Sequence, residues 1–91
     1  MSIQTDFYQF HKDNPDVYRR LVALARKARS HGYSHIGIKH IWEVMRWEVM
    51  IETKGATDYK LNNNFTSRYA RLIMGQEPDL AGVFEVRALR S

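Results

Sequence analysis

The first apolar positions of the chain predict a short helix followed at once by a longer one. Phe7 and Phe10 lie three residues apart, which places both rings on one face of a helix that Thr5 can cap. Asn14 and Pro15 are typical of the N-cap and the first turn of a helix. We therefore expect one helix to end and the next to begin at this pair.

The second helix is predicted to run from about Pro15 to His31, where Gly32 provides a C-terminal stop. Arg19 and Arg26 lie roughly opposite its apolar face, so we expect both guanidinium groups to reach solvent. The apolar face recurs at helical spacing and comprises Val17, Leu21, Leu24, Ala25 and Ala28.

A third helix, from about Ile38 to Thr53 with Gly55 beyond it, is apolar on two faces. One neighbour cannot cover both, so this helix is either central in the domain or meets a partner, for example in a two-fold dimer. We expect burial within the chain, and core packing of both tryptophans rather than stacking on unpaired bases, because so small a domain needs them in its core. The first stripe comprises Ile38, Ile41, Trp42, Met45 and Val49. The second stripe comprises Val44, Trp47 and Ile51.

Three consecutive asparagines at 62–64 supply an N-cap for a fourth helix, predicted from about Asn63 to Met74. Gly75 is expected to end this helix, and Pro78 to prevent it from resuming. Its apolar side comprises Phe65, Tyr69, Leu72 and Ile73.

Two segments, 34–38 and 83–89, alternate in the manner of short β-strands, and residues 59–61 can also be extended. The order helix, strand, helix, helix, strand predicts one domain over residues 1–91, mainly α with a short β-sheet (α+β), arranged like a winged helix-turn-helix. Two features depart from that motif. The connection between the third and fourth helices exceeds its usual turn of about 3–4 residues, and one strand stands where a wing has two. A small helical domain with a short sheet is the alternative.

The composition is that of one globular domain, with 44% hydrophobic and 26% charged residues. The absence of cysteine excludes disulfides, thiolate metal sites and cysteine nucleophiles. No apolar run approaches the roughly 20 residues needed to cross a bilayer, and the first residues lack the pattern of a secretion signal. We therefore expect an intracellular protein without a membrane partner.

Arginine dominates the positive charge of the chain, which has a formal net charge of +4 and nine arginines among its fourteen basic residues. Arginine favours phosphate or carboxylate partners, because its planar guanidinium group bonds two oxygen atoms at once. A genome rich in arginine codons would give the same composition, so both interpretations remain open.

The exposed side of the fourth helix is predicted to contact double-stranded DNA. At about 100° per residue, Asn64 lies between Arg68 and Arg71. Ser67 and Ala70 complete this surface. Asparagine pairs well with adenine and arginine with guanine in the major groove. Alternatively, the asparagines are ordinary capping residues and the arginines belong to a solvated face.

Two arginines of the second helix, Arg19 and Arg26, are the predicted contacts to DNA phosphates, because they lie away from its apolar face. Such contacts would position the protein on the duplex without reading its sequence.

Few residues are spaced for catalysis or metal binding. His31 and His35 are four residues apart, but the helix stop at Gly32 separates them and no HExxH pattern is present. Glu52 and Lys54 match part of some metal-dependent nuclease sites, yet they lie at a helix end rather than on a strand. We expect no catalytic residue, no metal site and no cofactor.

The most distinctive segments of the chain are 46–48, 52–53, 59–65, 67–72 and 84–91. The third of these includes the asparagine-rich helix start Asn62-Asn63-Asn64-Phe65. Together the segments resemble a group of small proteins encoded in phages, prophages and bacterial mobile regions, and the likeness covers most of the chain after about Asp13. No activity is established for that group, so no functional residue can be carried over. The resemblance implies a phage or mobile-element origin and the cytoplasm of a bacterial host cell.

The leading hypothesis is a non-enzymatic, winged-helix-like DNA-binding protein, a monomer or a homodimer, that uses Asn64, Ser67, Arg68 and Arg71 at the duplex. The rival is a phage-encoded factor that binds and modulates a host protein, with the same arginines on an acidic surface. The salt dependence of duplex binding separates them, because only a DNA binder releases condensed counterions.

Overall fold

The computed structural model describes residues 3–56 and 63–84, which form four α-helices and one turn of 3-10 helix. The helices are α1 (Ile3–Asp13), α2 (Pro15–Ser30), α3 (Ile38–Glu52) and α4 (Asn63–Gln76), and the 3-10 helix is Pro78–Leu80. The bounds predicted for the second, third and fourth helices are confirmed to within about two residues.

The predicted α+β, winged helix-turn-helix fold is wrong. Over the described ranges the protein is all-α, with neither a strand nor a sheet. At 34–38, where a strand is predicted, there is an isolated parallel bridge between Ile36 and Phe84, in which the Ile36 N–H donates to the Val83 carbonyl at 2.8 Å. The alternation extends no further because Gly37 is already the N-cap of α3. Residues 59–61 and 85–89, the remainder of the predicted extended segments, lie outside the described residues.

One apolar core joins the four helices. Among the described elements α2 packs chiefly on α3, α3 packs on α4, and α1 contacts both α2 and α4. Trp42 of α3 and Tyr69 of α4 lie at the centre of this core, almost fully buried, with their ring centroids 5.8 Å apart. The first stripe predicted on the third helix is confirmed, since all five of its side chains are buried.

Aromatic contacts fix α1 against α4. The Phe7 ring meets the Tyr69 ring edge-on at a centroid distance of 4.8 Å, and the Phe10 ring lies 5.2 Å from the Phe65 ring. Aromatic pairs in such geometries stabilise a contact beyond the area that they bury. The two helices therefore lie side by side and form the walls of a surface groove.

Backbone conformation explains where the helices end. Gly32 and Gly55 have φ values of 97° and 83°, which confirms them as the stops after α2 and α3, because glycine adopts the left-handed region without steric cost. Gly75 does not end α4, which continues to Gln76. Thr5 lies inside α1 rather than at its cap.

The second stripe of α3, formed by Val44, Trp47 and Ile51, is not buried. The exposed fractions of these side chains are 46%, 62% and 60%, so the expectation that the chain covers them is wrong. The reason is geometric, because the neighbouring helices α2 and α4 pack on the opposite, fully apolar side of α3. We call these residues the α3 outer stripe.

Of the helices described, none is long and apolar enough to span a membrane.

Candidate nucleic-acid interface on α4

The surface of α4 presents a narrow polar arc. Asn64 and Arg71 are exposed, and Ser67 and Arg68 are half-buried. At about 100° per residue these four side chains fall on one side of the helix, so the predicted grouping holds in the fold. We call them the α4 polar face. Ala70, by contrast, is fully buried and does not belong to the surface that the sequence assigns to it.

Burial on the other side of α4 sets the orientation of this face. Thr66, Tyr69, Ala70 and Ile73 show no exposed surface, and they follow one another at intervals of three and one along the inner side of the helix. The helix therefore cannot rotate without losing core contacts. The polar face is held towards solvent by the packing behind it.

The charges of α4 all have one sign. The helix Asn63–Gln76 contains no aspartate or glutamate, and its two charged residues are Arg68 and Arg71. The N-terminal end of a helix adds the positive pole of its dipole. This surface is thus suited to an anionic ligand that offers oxygen acceptors.

A groove between α1 and α4 adjoins the polar face. Its cavity of about 270 Å³ is lined by Phe7, Tyr8, Arg68, Arg71 and Leu72. Phe7 is 4% exposed and Leu72 is half-buried, so the floor is apolar, whereas Tyr8 is 57% exposed and forms the rim. Two arginines and an accessible aromatic ring therefore line the same groove.

Tyr8 is the surface residue that the sequence reasoning missed. The spacing of Phe7 and Phe10 identifies the inner side of α1 but gives no role to Tyr8, which lies about 100° from Phe7. An aromatic residue on the polar side of an amphipathic helix is the signal that could have found it. The Phe7 and Tyr8 ring centroids are 5.9 Å apart, which places Tyr8 over the edge of the core.

The structure places Arg26, a predicted phosphate contact, in an ion-pair cluster. Its Nε lies 2.9 Å from Asp79 Oδ2, and its Nη2 lies 2.6 Å from Glu77 Oε1. The hydrogen bond to Asp79 is the chief cause that raises the pKa of Arg26 above its ordinary value, and the same bond lowers the pKa of Asp79. The guanidinium group of Arg26 therefore already holds two carboxylates.

Tyr18 belongs to the same cluster. Its hydroxyl donates a hydrogen bond to Glu77 Oε2 at 2.8 Å. Burial, followed by this bond to Glu77, raises the pKa of Tyr18 to about 12. Glu77, the residue that follows α4, thus forms hydrogen bonds with two side chains of α2, Tyr18 and Arg26.

Arg19 remains at the surface of α2, with 71% of its side chain exposed, and forms an ion pair with Asp16 one turn earlier. Neither Arg19 nor Arg26 lines the groove between α1 and α4. The predicted site residues therefore fall into two separate sets, the α4 polar face and the outer side of α2.

The candidate metal and nuclease residues do not assemble into a site. His31 and His35 are both exposed in the connection between α2 and α3. The Glu52 carboxylate lies 2.6 Å from Nη1 of Arg20. Within residues 3–56 and 63–84, no three His, Asp or Glu side chains are grouped so that they could hold a metal ion.

Comparisons of the chain with protein-family models, with curated proteins and with solved structures give no match.

Proposed function

We propose that this protein binds nucleic acid, with duplex DNA as its target, through the α4 polar face. The observation that supports this most strongly is a helix without acidic residues, whose two arginines line a groove together with an exposed tyrosine. Under this proposal the protein is not an enzyme and acts in the cytoplasm of a bacterial cell. Its gene is of phage or mobile-element origin, as the sequence resemblance implies.

The side chains of the face suit DNA in two ways. The Asn64 amide can donate to and accept from an adenine edge, and the guanidinium groups can bind guanine or phosphate oxygens. Ser67 is short and half-buried, so it does not hold the helix away from a groove wall. Base-edge and backbone contacts are therefore both within the chemistry of these four residues.

The proposed contact does not require a winged helix. Residues 53–62 separate α3 from α4, a longer connection than the turn of a helix-turn-helix motif, which has about 3–4 residues. A single helix can still enter the major groove when its exposed side is polar and its other sides pack on a stable core. The buried residues of α4 provide that support.

Phosphate contacts outside α4 are assigned to Arg19 alone. Its ion pair with Asp16 is exposed to solvent, and such pairs contribute only about 0–1 kcal/mol, so a phosphate can replace the carboxylate. Arg26 is left out, because moving its guanidinium group would release Asp79 and Glu77 together.

A charge-matched comparison tests the proposal. Fluorescence anisotropy would measure the binding of a labelled random-sequence duplex at low salt by the wild type, by the double variant Arg68→Gln, Arg71→Gln, and by the control Lys39→Gln, Lys54→Gln. Both double variants lose the same net charge, and the control lysines are exposed on or next to α3.

We expect the arginine variant to bind at least about tenfold more weakly, since each specific arginine contact is worth roughly 1–3 kcal/mol. The control should lose much less, through reduced long-range attraction only. Equal losses in the two variants would mean that α4 is not the contact surface.

A protein partner is the second candidate, and the α3 outer stripe favours it. Exposed apolar patches with a charged border mark many protein interaction sites. The stripe adjoins a cavity of about 300 Å³ lined by Arg20, Glu48, Ile51 and Glu52. Under this alternative the protein binds and modulates a bacterial host protein. A wild type without any duplex affinity at low salt would favour it over DNA binding.

A further inference from the structure

The groove between α1 and α4 combines two chemistries that a helix face alone does not offer. Tyr8 supplies an aromatic ring at the rim, with more than half of its surface accessible. Arg68 and Arg71 supply donors for an anion on the opposite wall, and the floor between them is apolar. A ligand that fills this groove needs a flat ring and an anionic group close to it.

Among the described residues that line the groove none is acidic, and both charged groups are hydrogen-bond donors. These residues therefore favour an anion over a cation or an amine. The cavity of about 270 Å³ lies below the range of about 300–1,000 Å³ that is usual for small-molecule and cofactor sites. One ring with its attached phosphate is the matching class of ligand.

We infer that this groove takes one unpaired nucleotide of a nucleic-acid strand, with its base on Tyr8 and its phosphate on Arg68. The inference rests on the proposed function, because it assigns the structure of the nucleic acid that the same surface prefers. A base inside a duplex has both faces stacked, whereas an unpaired base offers a free face to an aromatic side chain. The preferred target is a duplex that ends in, or opens into, a single-stranded segment.

Two probes and three proteins test this. The probes are a short blunt duplex and the same duplex with a single-stranded overhang that carries the fluorescent base 2-aminopurine. The proteins are the wild type, Tyr8→Ala and Tyr8→Phe, of which the last keeps the ring and removes only the hydroxyl. Circular dichroism and thermal melting would establish that each variant is folded, as the exposure of Tyr8 leads us to expect.

We expect the wild type and Tyr8→Phe to prefer the overhang by about 5- to 150-fold, which corresponds to the worth of one stacked base. Tyr8→Ala should bind both probes equally. Quenching of 2-aminopurine should accompany binding by the wild type and Tyr8→Phe, and should be absent with Tyr8→Ala. This pattern cannot arise from a general loss of charge, since no charge changes.

Equal binding of the two probes by the wild type would overturn the inference while leaving the proposed duplex contact intact. Displacement of the overhang by a free mononucleotide at a similar concentration would also overturn it, because the groove would then be a site for small nucleotides. Absence of binding to either probe would overturn both the inference and the proposed function, and would favour an acidic, aromatic peptide as the ligand of the groove.

Discussion

Arg26 binds Asp79 through two nitrogen atoms, with Nε 2.9 Å from Oδ2 and Nη2 3.1 Å from Oδ1. The two residues lie on α2 and on the 3-10 helix that follows α4. Such two-point contacts between arginine and a carboxylate fix relative orientation as well as distance. This pair therefore fastens the segment after α4 to the outer side of α2.

The pair predicts how stability changes in acid. Because Arg26 lowers the pKa of Asp79, the ionised carboxylate stabilises the fold above the ordinary aspartate pKa of about 3.9. This stabilisation is lost as the pH falls through the lowered pKa. Asp79→Asn should therefore melt at a lower temperature than the wild type at neutral pH, and the difference should shrink on acidification below about pH 4.

Arg26→Gln serves as the partner variant, because it removes the same contact from the other side. Its melting temperature should approach that of the wild type over the same acid range. A difference between the wild type and Asp79→Asn that stays constant from neutral pH to strong acid would contradict the role given to this pair.

The two tryptophans should differ in fluorescence. Trp42 is 1% exposed, and its Nε1 has no hydrogen-bond partner among the described residues, whereas Trp47 is 62% exposed. Trp47→Phe should therefore shift the emission to shorter wavelength and greatly reduce quenching by acrylamide. Unchanged quenching after this substitution would mean that the α3 outer stripe is covered in solution.

Leu21 tests the packing of α2. Its side chain is fully buried in the core, so Leu21→Ala should reduce the free energy of unfolding by about 2 to 5 kcal/mol through cavity formation. Leu24→Ala is the matched control. Leu24 is only partly buried, so its replacement should reduce the free energy of unfolding by less. Denaturant titrations measure both values. Equal losses of unfolding free energy in the two variants would contradict the burial of Leu21 on the inner face of α2.

Most of the helical framework could be predicted because its signals are local. Asn14 and Pro15 mark the start of α2, and Gly32 and Gly55 mark the ends of α2 and α3 through a backbone conformation that glycine adopts readily. These signals act within a few residues of the chain. They need no knowledge of which helix packs on which.

The failures concern contacts between distant residues. Nothing near Trp47 in the sequence indicates which neighbour covers it, and in the fold α2 and α4 both pack on the other side of α3. Ile36 alternates as in a strand, but a sheet needs a partner strand, and within the described ranges it gains only a bridge to Phe84. Periodicity predicts that a face is apolar without predicting what meets it.

The candidate site likewise combines features that follow from local spacing with features that depend on contacts between distant residues. Helical spacing alone places Asn64, Arg68 and Arg71 on one side of α4. The groove cannot be predicted from helical spacing, since Tyr8 joins it from another helix through the packing of α1 on α4. The carboxylates that hold Arg26 likewise come from a segment about fifty residues away in the chain.

Two arginine variants should differ in their effect on the sequence preference of DNA binding. Arg71→Ala should weaken binding to the preferred DNA sequence by about 1 to 3 kcal/mol and relax the sequence preference, because Arg71 is placed at the bases. Arg19→Ala should weaken binding to all sequences alike, as expected for a phosphate contact. Competition among a library of duplex sequences measures both effects. Identical sequence-preference profiles for the two variants would contradict the assignment of Arg71 to base contacts and of Arg19 to phosphate contacts.

The salt dependence of duplex binding tests the central claim most directly. The affinity of the wild type should fall linearly with salt concentration on logarithmic axes, because bound arginines release condensed counterions from the DNA. Replacing Arg68 and Arg71 by glutamine should reduce the steepness of that line by roughly 0.9, for the phosphate contact of Arg68 that is lost. An identical slope for the wild type and the double variant, or no duplex affinity at low salt, would contradict nucleic-acid binding through α4.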